Sequence, residues 1–256
     1  MEVTTFWGHI LALGLTQMVD FTQLDPYAPE LFLRGLKAAG ARAVGIAHPF
    51  CVGEPVMVGC RFAMELHDWS AVNYIEVFNT AVDGTALGGT ALGEALGGNR
   101  HALELWERLV LSGHRIAAVT GKDLHAVPGE QTVFTTYALT ADDSPLRGAD
   151  AVLAAILNQR TLLSKGPLFY TCADGGRLTV RLDSAGPEAS GVPPTLEVRD
   201  STGTVQCGSA VPGQNTEFRL PADARSAVVR LYEGACDYGH LLAVGAPVYL
   251  GGGNAQ

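Results

Sequence analysis

The sequence is poor in the features that mark exported, membrane-spanning or nucleic-acid-binding chains. No apolar run approaches the roughly 18 or more residues that a membrane helix needs, so no membrane partner is expected. The opening Met1-Glu2-Val3-Thr4-Thr5 has neither a basic segment nor a small-residue cleavage site, which fits a cytoplasmic chain if Met1 is the true start. Basic residues are outnumbered, 17 Lys and Arg against 26 Asp and Glu. The resulting net charge of −9 opposes nonspecific attraction to phosphate backbones and argues against nucleic acid as a partner. Cysteine is sparse and odd in number, with Cys51, Cys60, Cys172, Cys207 and Cys236 widely separated and no Cys-x-x-Cys spacing. That argues against a structural cysteine site near the candidate ligands and reads as reduced, mostly buried thiols. Cys51, three residues after His48, is weighed as a ligand against the ordinary role of a small core residue.

What is present is a chain of 256 residues, 47% hydrophobic, long enough for a sizeable core and for one large domain with a small one beside it. The first two thirds alternate strand-like and helix-like segments. Arg42 to Ala47, Tyr74 to Phe78, Arg115 to Thr120 and Thr132 to Leu139 are short β-branched or aromatic runs. Between them, Pro29 to Ala39 offers Leu31, Leu33 and Leu36 and stops at Gly40. A second helix starts at Asn99 as cap, carries Leu103 and Trp106 on its apolar face and ends at Gly113; a third covers Ala149 to Gln159. Alternation of this kind favours a parallel sheet or a (β/α) barrel. After Gly166-Pro167 the texture becomes short alternating strands separated by Pro, Gly, Ser and Asp turns, which predicts a small β-sandwich of about 85 residues. The segment Thr85 to Gly98 is a Gly/Ala/Leu quasi-repeat and reads as a surface loop or a lid rather than a phosphate cradle, because its glycines follow no strand and open no helix.

The chemistry-bearing residues fall at the ends of the expected strands. His48 follows the first of these runs, Asn79 the second, and Asp123 with His125 the third, in Gly121-Lys122-Asp123-Leu124-His125. Glu2 and His9 flank or lie on a first strand, MEVTTFWGH, with Trp7 beside them as a candidate pocket wall. Oxygen and nitrogen donors of this type suit Zn, Mn or Fe. In a (β/α) barrel such strand ends converge on one site.

Glu2-Val3-Thr4-Thr5 with Trp7-Gly8-His9, then His48-Pro49-Phe50, Tyr74 to Asn79, and Gly121 to His125, taken in that order, resemble the PHP (polymerase and histidinol phosphatase) metal-dependent hydrolases. The branch most similar is the CehA/McbA-like one, whose "GR…GP" passage resembles Gln159-Arg160-Thr161 through Gly166-Pro167 and whose closing strand resembles Gly245 to Tyr249. The resemblance implies an α/β chain with an incomplete PHP-type (β/α) barrel over residues 1–167 and a small β-sandwich over 168–256. It implies divalent metal ions held by Glu2, His9 and His48, with Glu2 bridging, and Asp123 and His125 serving further metal positions. Trp7, Asn79, Lys122 and Arg160 would then face a small-molecule substrate. The family has Ser or Gly where Lys122 stands, and opens with His-x-His and Asp-His motifs that have no counterpart before Glu2. The resemblance therefore implies a barrel short of two strands, completed by an N-terminal segment or by a homodimer through its open side. Hydrolysis of a small ester, carbamate or phosphoester is the activity implied; a non-catalytic binding or assembly protein derived from such a hydrolase is the alternative.

Overall fold

Gly8 turns what reads as one N-terminal strand into two. In the computed structural model, which describes residues 1–51, 59–79, 98–123, 134–140, 145–184 and 191–250, Gly8 has φ +117, and a Cβ there would lie 2.7 Å from the Phe62 Cα. Only glycine fits such a bend. The chain thus folds back as an antiparallel hairpin of β1 (Glu2–Thr5) and β2 (Gly8–Leu13), with Thr4 opposite His9 and Glu2 opposite Leu11. Alternation along the strands buries Val3, Ile10 and Ala12 on one face and leaves Glu2, Thr4 and His9 on the other.

The chain divides into two compact units. The first comprises Met1–Trp106, Arg115–Gln131 and Thr140–Gln159. Its five-stranded sheet has the order β1-β2-β3-β4-β5, with β3 (Ala43–Ile46), β4 (Tyr74–Asn79) and β5 (Ala117–Gly121). β2 pairs antiparallel with β3, whereas β3, β4 and β5 run parallel. Every residue of β3 and β4 is buried, as expected of strands covered on both faces. Helix α1 (Pro29–Ala38) begins on Pro29, whose missing N–H costs nothing in a first turn. It buries Leu33 and Leu36, one turn apart, while Leu31 points away and is 72% exposed, so the expected three-leucine face is a two-leucine face. Helix α2 (Asn99–Leu111) sets Trp106 in the core, its Nε1 donating to the Ile116 carbonyl at 2.9 Å. Helix α3 (Gly148–Leu157) packs Leu153 and Ile156 against Ala43, Tyr74 and Ala117.

The second unit comprises Glu107–His114, Thr132–Leu139 and Arg160–Gln256. A seven-stranded sheet has the order β11-β10-β13-β14-β7-β6, with β15 also on β13, and a three-stranded sheet the order β12-β9-β8. The strands are β6 (Thr135–Ala138), β7 (Thr161–Ser164), β8 (Leu168–Asp174), β9 (Arg177–Ser184), β10 (Pro194–Asp200), β11 (Val205–Ser209), β12 (Asn215–Arg219), β13 (Ser226–Glu233), β14 (Leu241–Val244) and β15 (Val248–Tyr249). Phe169, Val180, Leu196, Phe218, Val229 and Leu231 belong to one buried cluster that draws on both sheets.

The expected incomplete (β/α) barrel followed by a β-sandwich is therefore corrected. The described residues form three open sheets, with 40% strand against 19% helix and three α-helices among them. Two physical reasons account for the difference. The N-terminal hairpin places an antiparallel edge where a barrel needs another parallel strand. β6, expected within Thr132 to Leu139 as a strand of the alternating region, instead pairs antiparallel with β7 and, through β7 and β14, joins the C-terminal strands. The cysteine expectation is corrected as well: Cys51 is buried, Cys60 half-buried, and Cys172, Cys207 and Cys236 are exposed. The Thr85 to Gly98 segment lies, up to Gly98, outside the described residues.

Candidate metal centre

The hairpin brings Glu2 and His9 together across adjacent strands, and the next strand delivers His48. The Ala47 N–H donates to the His9 carbonyl at 3.2 Å, so the residue after Ala47 leaves β3 beside the His9 ring. The two imidazoles meet edge to face with centroids 4.9 Å apart. One donor atom each from Glu2, His9 and His48 lie within 4.8 Å of one another.

His48 is held from three sides. Its backbone has φ +25, a sparsely populated conformation for a residue with a side chain, and such conformations cost about 1–3 kcal/mol. Offsetting this, its N–H donates to Glu76 Oε2 at 3.2 Å. The ring Nδ1 lies 3.1 Å from the Cys60 carbonyl oxygen. A carbonyl only accepts, so Nδ1 donates to it, the arrangement by which outer partners orient a ligating histidine. Nε2 is 3.9 Å from Asp123 Oδ2. Asp123 is itself in the left-handed region at φ +44. The strain concentrates where the candidate ligands converge.

Glu76 and its supports form the layer beneath. Asn79 Nδ2 donates to Glu76 Oε2 at 3.0 Å. Asn79 is clamped in turn by Asn99, whose Oδ1 accepts from the Asn79 N–H at 3.0 Å and whose Nδ2 donates to the Asn79 carbonyl at 3.1 Å. The Asn99 amide, expected as a helix cap, thus extends the ladder at the end of β4. Gly121 leaves room for the same group, since a Cβ there would lie 2.3 Å from Glu76 Oε1 and push the carboxylate aside. Burial raises the Glu76 carboxyl above its usual range, against the hydrogen bond from Asn79 and the neighbourhood of His48. Burial, reinforced by His48, holds the His9 imidazole below its ordinary value, while Glu2 and Asp123 pull the other way.

The chemistry of the donors decides whether these residues suit a metal ion. His9 Nδ1 is a buried nitrogen 2.9 Å from Glu2 Oε1. Two imidazoles and a carboxylate, with the Asp123 carboxylate near, form a nitrogen and oxygen donor set that fits Zn, Mn or Fe.

Of the other expected site residues, Trp7 is 42% exposed on the hairpin turn, paired with Gly59 through a β-bridge. Asn79 is buried and turned to Glu76 rather than to an open cleft. Lys122 is exposed beside Asp123. Arg160 belongs to the second unit, where its carbonyl accepts from the Leu139 N–H at 2.9 Å. His125 lies outside the described residues. Glu76 has no role in the sequence reading; a carboxylate inside the apolar run Tyr-Ile-Glu-Val-Phe was the signal, because buried charges occur where they are paired or used. Among known proteins, no family model matches this chain and no curated protein is a significant match.

Proposed function

We propose that the chain is a metal-dependent hydrolase acting on a small ester, carbamate or phosphoester, with Glu2, His9 and His48 as ligands and Asp123 as a further carboxylate at the same centre. The observation that carries this reading is the convergence of Glu2, His9 and His48, whose donor atoms lie within 4.8 Å of one another. The order of these residues, similar to that of PHP hydrolases, supports the same chemistry without requiring that family's barrel. A divalent ion at such donors supplies a Lewis acid and lowers the pKa of water. The chain's own residues do the rest. Glu76 and the Cys60 carbonyl fix the backbone and ring of His48, and Asn79 with Asn99 fixes Glu76. Asp123 Oδ2, 3.9 Å from His48 Nε2, is placed to accept a proton from a nucleophilic water.

The test is hydrolysis of activated aryl esters and of an aryl phosphodiester by the full chain loaded with Zn, Mn or Fe. Activity that falls at least a hundredfold in His48→Ala and in Glu2→Gln supports the proposal. Activity that is the same in the metal-loaded and chelator-treated chain counts against it.

A second reading, a non-catalytic assembly protein, is favoured by the edge. Among the described residues β1 has a partner on one side only, and Phe6 at its turn is 76% exposed. An open edge of this kind invites a complementing strand or a second copy. A dimer that dissociates on Thr4→Pro, from a chain that hydrolyses none of the esters, would favour this reading.

A further inference from the structure

The second unit carries a cluster of different chemistry, independent of the reading above. In the antiparallel pair β10 and β11, Glu197 stands directly opposite Cys207, so the two side chains share a face. After β13 ends at Glu233, Gly234 at φ +71 turns the chain back and sets Cys236 beside Cys207. The Sγ atoms are 3.8 Å apart. Donor atoms of Glu197, Cys207 and Cys236 all lie within 4.8 Å of one another.

From these observations we infer that Cys207, Cys236 and Glu197 bind a thiophilic divalent cation of the zinc class. Two thiolates at zinc bonds of about 2.3 Å, subtending a tetrahedral angle, are about 3.8 Å apart, whereas a disulfide brings its sulfurs to about 2.0 Å. The observed separation of 3.8 Å matches a chelating pair and not a disulfide. Glu197 is already aimed: Arg199 Nε donates to Oε1 at 2.7 Å, Arg199 Nη2 to Oε2 at 3.2 Å, and the Tyr232 hydroxyl to Oε1 at 3.1 Å. Such outer donors orient a carboxylate ligand while leaving a lone pair for the ion. Both cysteines are exposed, so an ion reaches them from solvent and water fills the fourth position. Two thiolates and one carboxylate make the site softer than the nitrogen and oxygen set of the first unit, and the two therefore differ in metal preference. Binding replaces the two thiol protons, which pass to solvent.

Cobalt(II) tests the assignment, because a near-ultraviolet thiolate-to-cobalt charge-transfer absorption requires sulfur ligands. The full chain, reduced and stripped of metal, is expected to develop this absorption as cobalt is added up to two equivalents, enough for both centres, and to lose it when excess zinc is added. Cys207→Ser and Cys236→Ala each abolish it, Glu197→Gln weakens cobalt retention at least tenfold, and His48→Ala leaves it unchanged. Absence of the absorption under reducing conditions overturns the assignment. So does an absorption that persists in both cysteine variants, or one that disappears with His48→Ala alone.

Discussion

Breaking the charge network of the second unit is the sharpest stability test of its core. Arg230 on β13 pairs through Nε and Nη2 with both carboxylate oxygens of Glu107, while its Nη1 donates to the Tyr232 hydroxyl at 3.1 Å. Tyr232 passes the chain on to Glu197, which Arg199 closes from the other side. The Arg230 side chain is 10% exposed and that of Glu107 6%. Burial opposes the Arg230 charge, but the Glu107 carboxylate outweighs it and holds the guanidinium pKa above its ordinary value. Glu107→Ala then strands a desolvated cation, at a cost of about 3–5 kcal/mol. With a urea m-value of about 2 kcal/mol/M, the midpoint falls by about 1.5–2.5 M. The assay is urea unfolding of the full chain followed by far-ultraviolet circular dichroism, to which the strands of this unit contribute. Glu107→Leu with Arg230→Met should recover most of the loss, because an apolar pair removes both desolvated charges at once. A Glu107→Ala midpoint within about 0.3 M of the parent, or a double variant no better than the single, would refute the buried-pair reasoning.

The metal-free chain should gain stability as pH rises through the window below 6.5. The His9 pKa lies below that ordinary value, so the unfolded chain binds the extra proton there and acid favours unfolding; thermal melts in chelator at several pH values check the sign, and His9→Gln should flatten the dependence. Gly121→Ala should displace the Glu76 carboxylate and lower metal retention at the first centre, read by metal content, because its Cβ would sit 2.3 Å from Glu76 Oε1. Asn99→Ala should cost about 1–3 kcal/mol by removing two hydrogen bonds to the Asn79 backbone, and should fray the end of β4 in hydrogen exchange.

Local signals in the sequence located most elements. Pro29 and Gly113 mark a helix start and a helix end, and the buried runs of β3, β4 and β5 are recognisable from composition. Pairing was not legible. Alternation continues through Thr5 to Gly8 without the usual Asn-Gly turn chemistry, so the hairpin that joins Glu2 to His9 reads as one strand. The sheet to which β6 and β7 belong depends on partners far along the chain, and four-residue strands carry too little pattern to say which. Ligand types were readable at the first centre, and Glu2, His9 and His48 do converge, with Asp123 just beyond. The layer that orients them was not readable, because it rests on a backbone carbonyl at Cys60 and an amide clamp between Asn79 and Asn99. Nor was Glu197 beside Cys207 and Cys236, which needs the β10–β11 register.

The central claim is that Glu2, His9 and His48 hold a metal ion, and metal content measured together with thermal stability tests it most directly. The Cys207→Ser, Cys236→Ala background isolates this centre from the thiolate cluster. That chain, dialysed against Zn, Mn or Fe and then against metal-free buffer, should retain about one ion per chain. At a free ion concentration a hundred times the Kd, the native state gains about 2.7 kcal/mol, a rise of about 5–10 °C in Tm for a chain of this size. His48→Ala should lose both the ion and the rise. Equal metal content in the His48→Ala chain, or a parent whose Tm does not respond to any of the three ions, would contradict the claim.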